Sequence, residues 1–175
     1  MKPTENHEHA GHWVEDAVRA HQTPLLRYAT RLVGGDAERA RDVVQDTFVR
    51  LLDQLQAKVN GHVVQWLYTV CRNRAHDVMR KEGRVRFFAE GEVEAVRAAD
   101  PRPGRTLEAG ELREAVLAMV EQLPANQQEV IRLKFQSGFS YKEISRITAL
   151  SVTNVGIFIH TAVKRLRHEM AAQRP

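Results

Sequence analysis

Cysteine is almost absent from the chain. The lone Cys71 excludes an internal disulfide framework and a four-thiolate zinc site, which makes a reducing cytoplasm the simplest compartment. A single thiol inside an apolar helical stretch belongs to a core. No apolar run approaches the roughly 20 residues that a bilayer span requires. The opening stretch MKPTENHEHAGHW also lacks the apolar segment of a secretory signal, so no membrane insertion is expected. His7, His9 and His12 lie close together, yet no carboxylate or thiolate motif completes a metal site around them. No glycine-rich phosphate loop occurs. Asp42 with His76, or Glu143 with His160, can be written as acid–base pairs, but neither sits in a motif that requires it. Nothing calls for a cofactor, a metal or catalysis. Convincing strand alternation and internal repeats are missing as well.

What remains is helix. A length of 175 residues with 43% hydrophobic content suffices for one domain or two small ones with packed cores. The formal net charge of +4 suits a polyanionic partner without requiring one. Trp13, Val14, Ala17, Val18, Leu25, Leu26, Tyr28, Ala29 and Leu32 recur at helical spacing, with a break expected near Thr23-Pro24 and Pro24 opening a new helix. Gly34-Gly35-Asp36 ends that segment and caps the next, in which Val44, Phe48, Leu51, Leu52 and Leu55 form an inward stripe. A third amphipathic helix is expected from about Val63 to Arg80. Gly83 to Arg105 carries Gly83, Gly91, Asp100-Pro101 and Pro103-Gly104 and reads as a linker. Beyond it, Leu107, Leu112, Val116, Met119, Val120 and Leu123 propose a helix that Pro124 breaks. Val130, Ile131, Leu133 and Phe135 propose another before Gly138. The expectation is an all-α chain of two small helical domains, residues 10–85 and 106–172, joined by a flexible linker over 86–105.

The most informative stretch runs from Phe139 to Arg167, two short helices joined by a tight polar turn. Ser140 and Glu143 are spaced as a capping box. Leu150-Ser151-Val152 supplies the turn, with Ser151 as the second cap. In the second helix Val155, Ile159, Ala162 and Leu166 face the core. That leaves Thr153, Asn154, Gly156, Ile157, His160, Thr161, Lys164 and Arg165 outside, the face that a helix-turn-helix presents to a DNA major groove. Taken alone, the segment also admits a plain helical hairpin with a solvated basic end.

Two further surfaces bear on that choice. On the helix from Asp36 to Leu55, Asp42, Gln45, Asp46, Val49 and Asp53 share one face by the three-and-four rule, a strip suited to docking a basic partner helix. A solvated face is the alternative. The third helix carries Trp66-Leu67-Tyr68 followed by Arg72, Asn73, Arg74, Asp77, Arg80 and Lys81, with Arg84 and Arg86 just beyond. Interleaved aromatic and basic groups suit single-stranded or melting DNA, since an aromatic face accepts an unstacked base while cations hold phosphates. Trp66 reads equally well as a core anchor.

Four blocks, in order, resemble the extracytoplasmic-function sigma factors, the small two-domain promoter-recognition subunits of bacterial RNA polymerase. Ala40-Arg41-Asp42-Val43-Val44-Gln45-Asp46-Thr47-Phe48 is like the family's A-E-D-hydrophobic-hydrophobic-Q-E-T-F. The run from Trp66 to Arg80 is like its W-L-hydrophobic-x-I-A-R-N-x-A-x-D-hydrophobic-x-R. Leu123-Pro124-Ala125-Asn126-Gln127-Gln128-Glu129-Val130 resembles its L-P-x-x-x-R-E-V, and Ser140-Tyr141-Lys142-Glu143-Ile144 its S-Y-x-E-I. The match covers nearly the whole chain after about Ala17. The resemblance implies that the Asp42, Gln45 and Asp46 face docks on the clamp helices of core RNA polymerase. It also implies that Trp66 to Arg84 opens and reads the −10 element of promoter DNA, that the linker threads towards the polymerase active-site channel, and that the second helix of the helix-turn-helix enters the −35 element.

The chain departs from the family pattern in two places. Arg41 stands where the family has an acid, so the polymerase-facing surface is less negative. Thr47 beside it is a candidate phosphorylation site, where a phosphate would add roughly −1.5 to −2 charges. Gly156, Ile157 and Thr161 occupy positions where the family often has Lys, Ser and Arg. Direct readout then leans on Asn154, His160 and Thr161, with Ile157 touching a thymine methyl. Gly156 implies a close approach of backbone to DNA or to another helix. The rival reading is a free-standing helix-turn-helix regulator that binds duplex DNA without polymerase. It gives no role to the acidic strip or the Trp66 block. The promoter, the inducing signal, and control by an anti-sigma factor or a kinase are not legible in the residues.

Overall fold

The computed structural model describes the backbone of residues 5–54, 59, 61–81 and 107–172, and the side chains of these except 5–11, 107–109 and 111. Among the described residues every regular element is an α-helix: α1 (Glu5–Leu32), α2 (Ala37–Leu52), α3 (Val63–Lys81), α4 (Leu107–Glu121), α5 (Ala125–Phe135), α6 (Tyr141–Thr148) and α7 (Val152–Ala172). They fall into two compact units. The first holds α1, α2 and α3, and the second holds α4, α5, Tyr141–Ser145 of α6, and α7. No single helix among the described residues is long and apolar enough to cross a membrane. The linker, Leu55, Arg84 and Arg86 lie outside the described residues, as do the side chains of His7 and His9.

The first unit is a three-helix bundle in which each helix packs on the other two. α1 begins well before Trp13 and runs through Pro24 without a break, contrary to the expected interruption. The reason is the stripe it buries. Val14, Ala17, Leu25, Tyr28 and Ala29 stay in one helical register across the proline, so ending the helix at Thr23 would strip half of that face from the core. Packing of such a face outweighs the roughly 3 kcal/mol that an interior proline costs. The helix then stops as the glycines require. Gly34 and Gly35 take φ of 72° and 89°, and the Gly35 amide donates to the Thr30 carbonyl at 2.8 Å in a Schellman arrangement. Asp36 caps α2 by accepting from the amides of Glu38 and Arg39, both at 3.1 Å.

From α2 the core receives Ala40, Val43, Val44, Thr47, Phe48 and Leu51. Leu52, expected inside, points outward at 59% exposure, because it follows the fully buried Leu51 by one residue and is rotated about 100° from it. α3 contributes Leu67, Tyr68, Cys71 and Ala75, and the Tyr68 ring meets Tyr28 of α1 with centroids 4.9 Å apart and planes tilted 38°. Such a pair adds about 0.5–1.5 kcal/mol beyond its buried area.

Burial pushes the Cys71 thiol from its ordinary 9.0 up to about 12, against a smaller opposing effect of a hydrogen bond with Thr47. Between these values the unfolded chain releases the thiol proton while the folded one keeps it, so stability falls as pH rises. Denaturant unfolding is expected to show the protein losing about 1 kcal/mol between pH 9 and 10 that Cys71→Ala does not lose. Equal slopes for the two proteins would contradict this placement of the thiol.

In the second unit α7 packs across α4 and α5. Met119, Val120, Leu123, Val130, Ile131, Leu133, Val155, Ile159 and Ala162 are buried. Leu112 and Phe135, expected in the same stripes, are exposed instead. α5 opens on Pro124, whose φ of −55° is preset for a helix start. No side chain caps it from that position. Gln128 closes the preceding helix end, its Nε2 donating to the carbonyls of Glu121 at 3.0 Å and Leu123 at 2.8 Å.

Candidate nucleic-acid and polymerase interfaces

The capping box at α6 is complete. Ser140 Oγ accepts from the Glu143 amide, and the Glu143 carboxylate accepts from the Ser140 amide at 2.8 Å. The turn that follows is Ala149-Leu150-Ser151, one residue earlier than the spacing indicates. Ala149 takes the left-handed conformation at φ 60°, a role usually given to glycine and hence invisible in the sequence. Ser145 Oγ donates to the Leu150 carbonyl at 2.6 Å, and Ser151 Oγ accepts from the Asn154 amide at 3.1 Å. These bonds fix a bend of 106° between α6 and α7, within the range of helix-turn-helix units.

That bend leaves one long side of α7 in solvent. Thr153, Asn154, Ile157, His160, Thr161, Lys164 and Arg165 are all exposed, and Gly156 is half-buried. The Arg165 Nε donates to Glu169 Oε1 at 2.9 Å, so this cation is partly occupied within its own helix. The neighbour that Gly156 admits is a ring. A Cβ built on it would lie 3.7 Å from Tyr141 Cε2, an ordinary contact distance. Tyr141 is in turn covered by Lys134, whose Nζ stands 5.5 Å from the ring centroid. Since alanine fits there and has the better helix propensity, Gly156→Ala is expected to raise stability by about 0.5–1 kcal/mol. A lowered melting temperature in that variant would show the Tyr141 contact to be tighter than drawn.

In the first unit Asp42, Gln45, Val49 and Asp53 are exposed, as the three-and-four spacing requires. Asp46 differs from them. Its Oδ2 accepts from Arg74 Nε at 2.6 Å, with both side chains partly covered, so a residue expected to face polymerase is tied to one expected to face DNA. This pair fastens α2 to α3. Arg41 extends into solvent and lies 3.3 Å from Glu38. On α3, Trp66, Arg72 and Asp77 are half-buried, while Asn73, Arg80 and Lys81 are exposed. Asp77 Oδ1 accepts from Arg80 at 2.5 Å.

Thr47 requires a correction. It lies not beside the outer surface but wholly inside, 0% exposed, its hydroxyl donating to the Val43 carbonyl at 2.7 Å. It follows the half-buried Asp46 by one position and stands four residues from both Val43 and Leu51, which puts it on the buried stripe of α2. A kinase cannot reach it in the folded unit.

Each unit matches a family of its own. Residues 17–85 match the model of sigma-70 region 2, and residues 113–166 match that of sigma-70, region 4. These are the two helical modules of a class of transcription initiation factors. Over 150 residues the chain is 31% identical to the ECF RNA polymerase sigma factor EcfG of Rhodopseudomonas palustris, covering 85% of this chain and 78% of that one. It is 30% identical over 158 residues to the ECF RNA polymerase sigma factor SigE of Mycolicibacterium smegmatis, covering 90% of this chain but only 61% of the relative's length. The chain belongs to the ECF RNA polymerase sigma factors. The fold is shared with the sigma factor RpoE of Bartonella quintana, solved with the anti-sigma factor NepR, at a TM-score of 0.62 and 24% identity over 91% of this chain and 98% of that one.

Proposed function

We propose that this sigma factor acts in the cytoplasm as a non-catalytic specificity subunit, binding core RNA polymerase through α2 and promoter DNA through α3 and α7. Residues 10–85 form the polymerase and −10 module, 106–172 the −35 module, and 86–105 the tether between them. Holding two promoter segments through one tether gains affinity by raising the effective concentration of the second contact. Asp42, Gln45, Val49 and Asp53 meet the clamp helices. Trp66, Arg72, Asn73, Arg80, Lys81 and Arg84 hold the −10 strand as it opens, with binding free energy offsetting the few kcal/mol lost per unstacked step. Asp46, Arg74 and Asp77 position these groups through the two ion pairs described above.

The observation that carries this reading is the division of α7. Val155, Ile159 and Ala162 are buried while the opposite face stands free at a bend suited to a major groove. Run-off transcription from a promoter library, with core polymerase alone and with the protein added, tests it. Selective initiation only in the presence of the protein is the expected result. Binding to duplex promoter DNA by the protein alone, with no initiation when core is added, would return the free-standing regulator.

A further inference from the structure

The first turns of α7 carry no Lys, Arg, Asp or Glu, and beside the polar Thr153 and Asn154 they expose apolar side chains. Val152 is 45% exposed and Ile157 54%, and Tyr141 of α6, at 39%, stands beside Gly156 of the same turns. Val152 and Ile157 lie in the N-terminal part of the helix, the part that meets base edges in helix-turn-helix complexes. Lys134 lies over the Tyr141 ring, and the exposed cations stand further out: Lys142 on α6, and Lys164, Arg165 and Arg167 two to four turns further along α7. A surface with an apolar centre and a cationic margin complements a groove whose floor carries methyl groups and whose walls carry phosphates. The thymine C5-methyl is the one apolar group that the standard bases present in the major groove.

We infer that Tyr141, Val152 and Ile157 form an apolar reading head that selects the −35 element through thymine methyl groups, with the flanking cations supplying sequence-independent affinity. This rests on the sigma-factor reading above and names the specificity of its −35 contact. Tyr141 and Val152 thereby join the DNA-facing set.

The test uses holoenzyme assembled from core polymerase and the full chain. A −35 element is first selected from a randomised promoter library, and each selected thymine is then replaced by deoxyuridine, which removes only the methyl group. Thymine-rich selection is expected, with initiation or binding falling about three- to five-fold for each methyl that Ile157, Val152 or Tyr141 covers. Ile157→Ala should erase the thymine–uracil difference at one position while leaving it at the others. An unfolding transition matching that of the unsubstituted chain serves as the check on folding. Promoter-selective initiation with no thymine–uracil difference anywhere, or the same difference retained in Ile157→Ala, overturns the inference and leaves the sigma reading standing. An absence of any selective initiation overturns the sigma reading itself.

Discussion

Thr47→Glu is expected to unfold the first unit, whereas Thr47→Val is expected to leave it folded. The Thr47 side chain has no solvent exposure, and Val43, Val44, Phe48 and Leu51 around it on α2 are buried with it. Its hydroxyl is satisfied by the Val43 carbonyl, and across the bundle it meets Cys71. A glutamate there must either carry an unpaired charge into the core or force α2 off α3. Buried unpaired charges and overpacking are among the few mechanisms that cost a protein more than about 4 kcal/mol. A small helical unit has a total stability near the low end of the roughly 5–15 kcal/mol range, so little would remain. Valine keeps the shape and removes a hydroxyl whose acceptor is a helical carbonyl with its own amide partner. The expected change is within about 1 kcal/mol. Circular dichroism during denaturation separates the two. A native-like transition for Thr47→Glu would mean that the side chain reaches solvent and would reopen this position to a kinase.

The position of Thr47 illustrates what the residues disclose and what they withhold. Periodicity identifies that α2 has an acidic strip and an apolar stripe, because both repeat over several turns. It does not identify the edge between them, where one residue of helical rotation decides the outcome. Leu52 sits at that edge and turns outward, whereas Thr47, four residues from both Val43 and Leu51, lies within the apolar stripe, where its hydroxyl masks a core position. Pro24 fails for a different reason. Its local cost is legible, but the continuous stripe from Val14 to Ala29 that outweighs it is a property of the bundle as a whole. The Asp46–Arg74 pair joins residues 28 apart, so neither helix alone signals it.

The helix-turn-helix was more legible because its determinants are local. Ser140 with Glu143, Ser151 with Asn154, and the spacing of Val155, Ile159 and Ala162 all act within a few residues of each other, and all stand where the spacing puts them. The exceptions again involve a tertiary relation. Ala149 adopts the left-handed turn without being glycine, and the approach of Tyr141 to Gly156 joins two helices. Periodicity puts Ile157 on the outer face of α7 but is silent on Tyr141, which comes from the neighbouring helix.

The second large effect is expected on α2, where Leu52→Asp should weaken binding to core RNA polymerase by about thirty-fold or more. The charge on this face is thin. Asp46 is engaged by Arg74, and Arg41 adds a positive group that lies beside Glu38, leaving Asp42 and Asp53 as the acids that face outward. Between them stand Val49 and Leu52, 51% and 59% exposed and three residues apart on one face. An apolar pair framed by polar residues has the layout of an interface centre, where truncation or a buried charge costs about 2 kcal/mol or more. Because Leu52 makes little of the core, the variant should keep its folding stability within about 0.5 kcal/mol. Arg41→Glu provides the contrast. It restores acidity at the rim, so it should strengthen binding several-fold at low salt and lose that advantage as salt rises, since exposed charges are screened within about 10 Å at 0.1 M. The Leu52→Asp defect should persist at every salt concentration, because it arises from desolvation. Wild-type affinity for Leu52→Asp would move the polymerase contact off this face of α2. Weaker binding by Arg41→Glu would instead make Arg41 a direct contact, fitted to an acidic group on its partner.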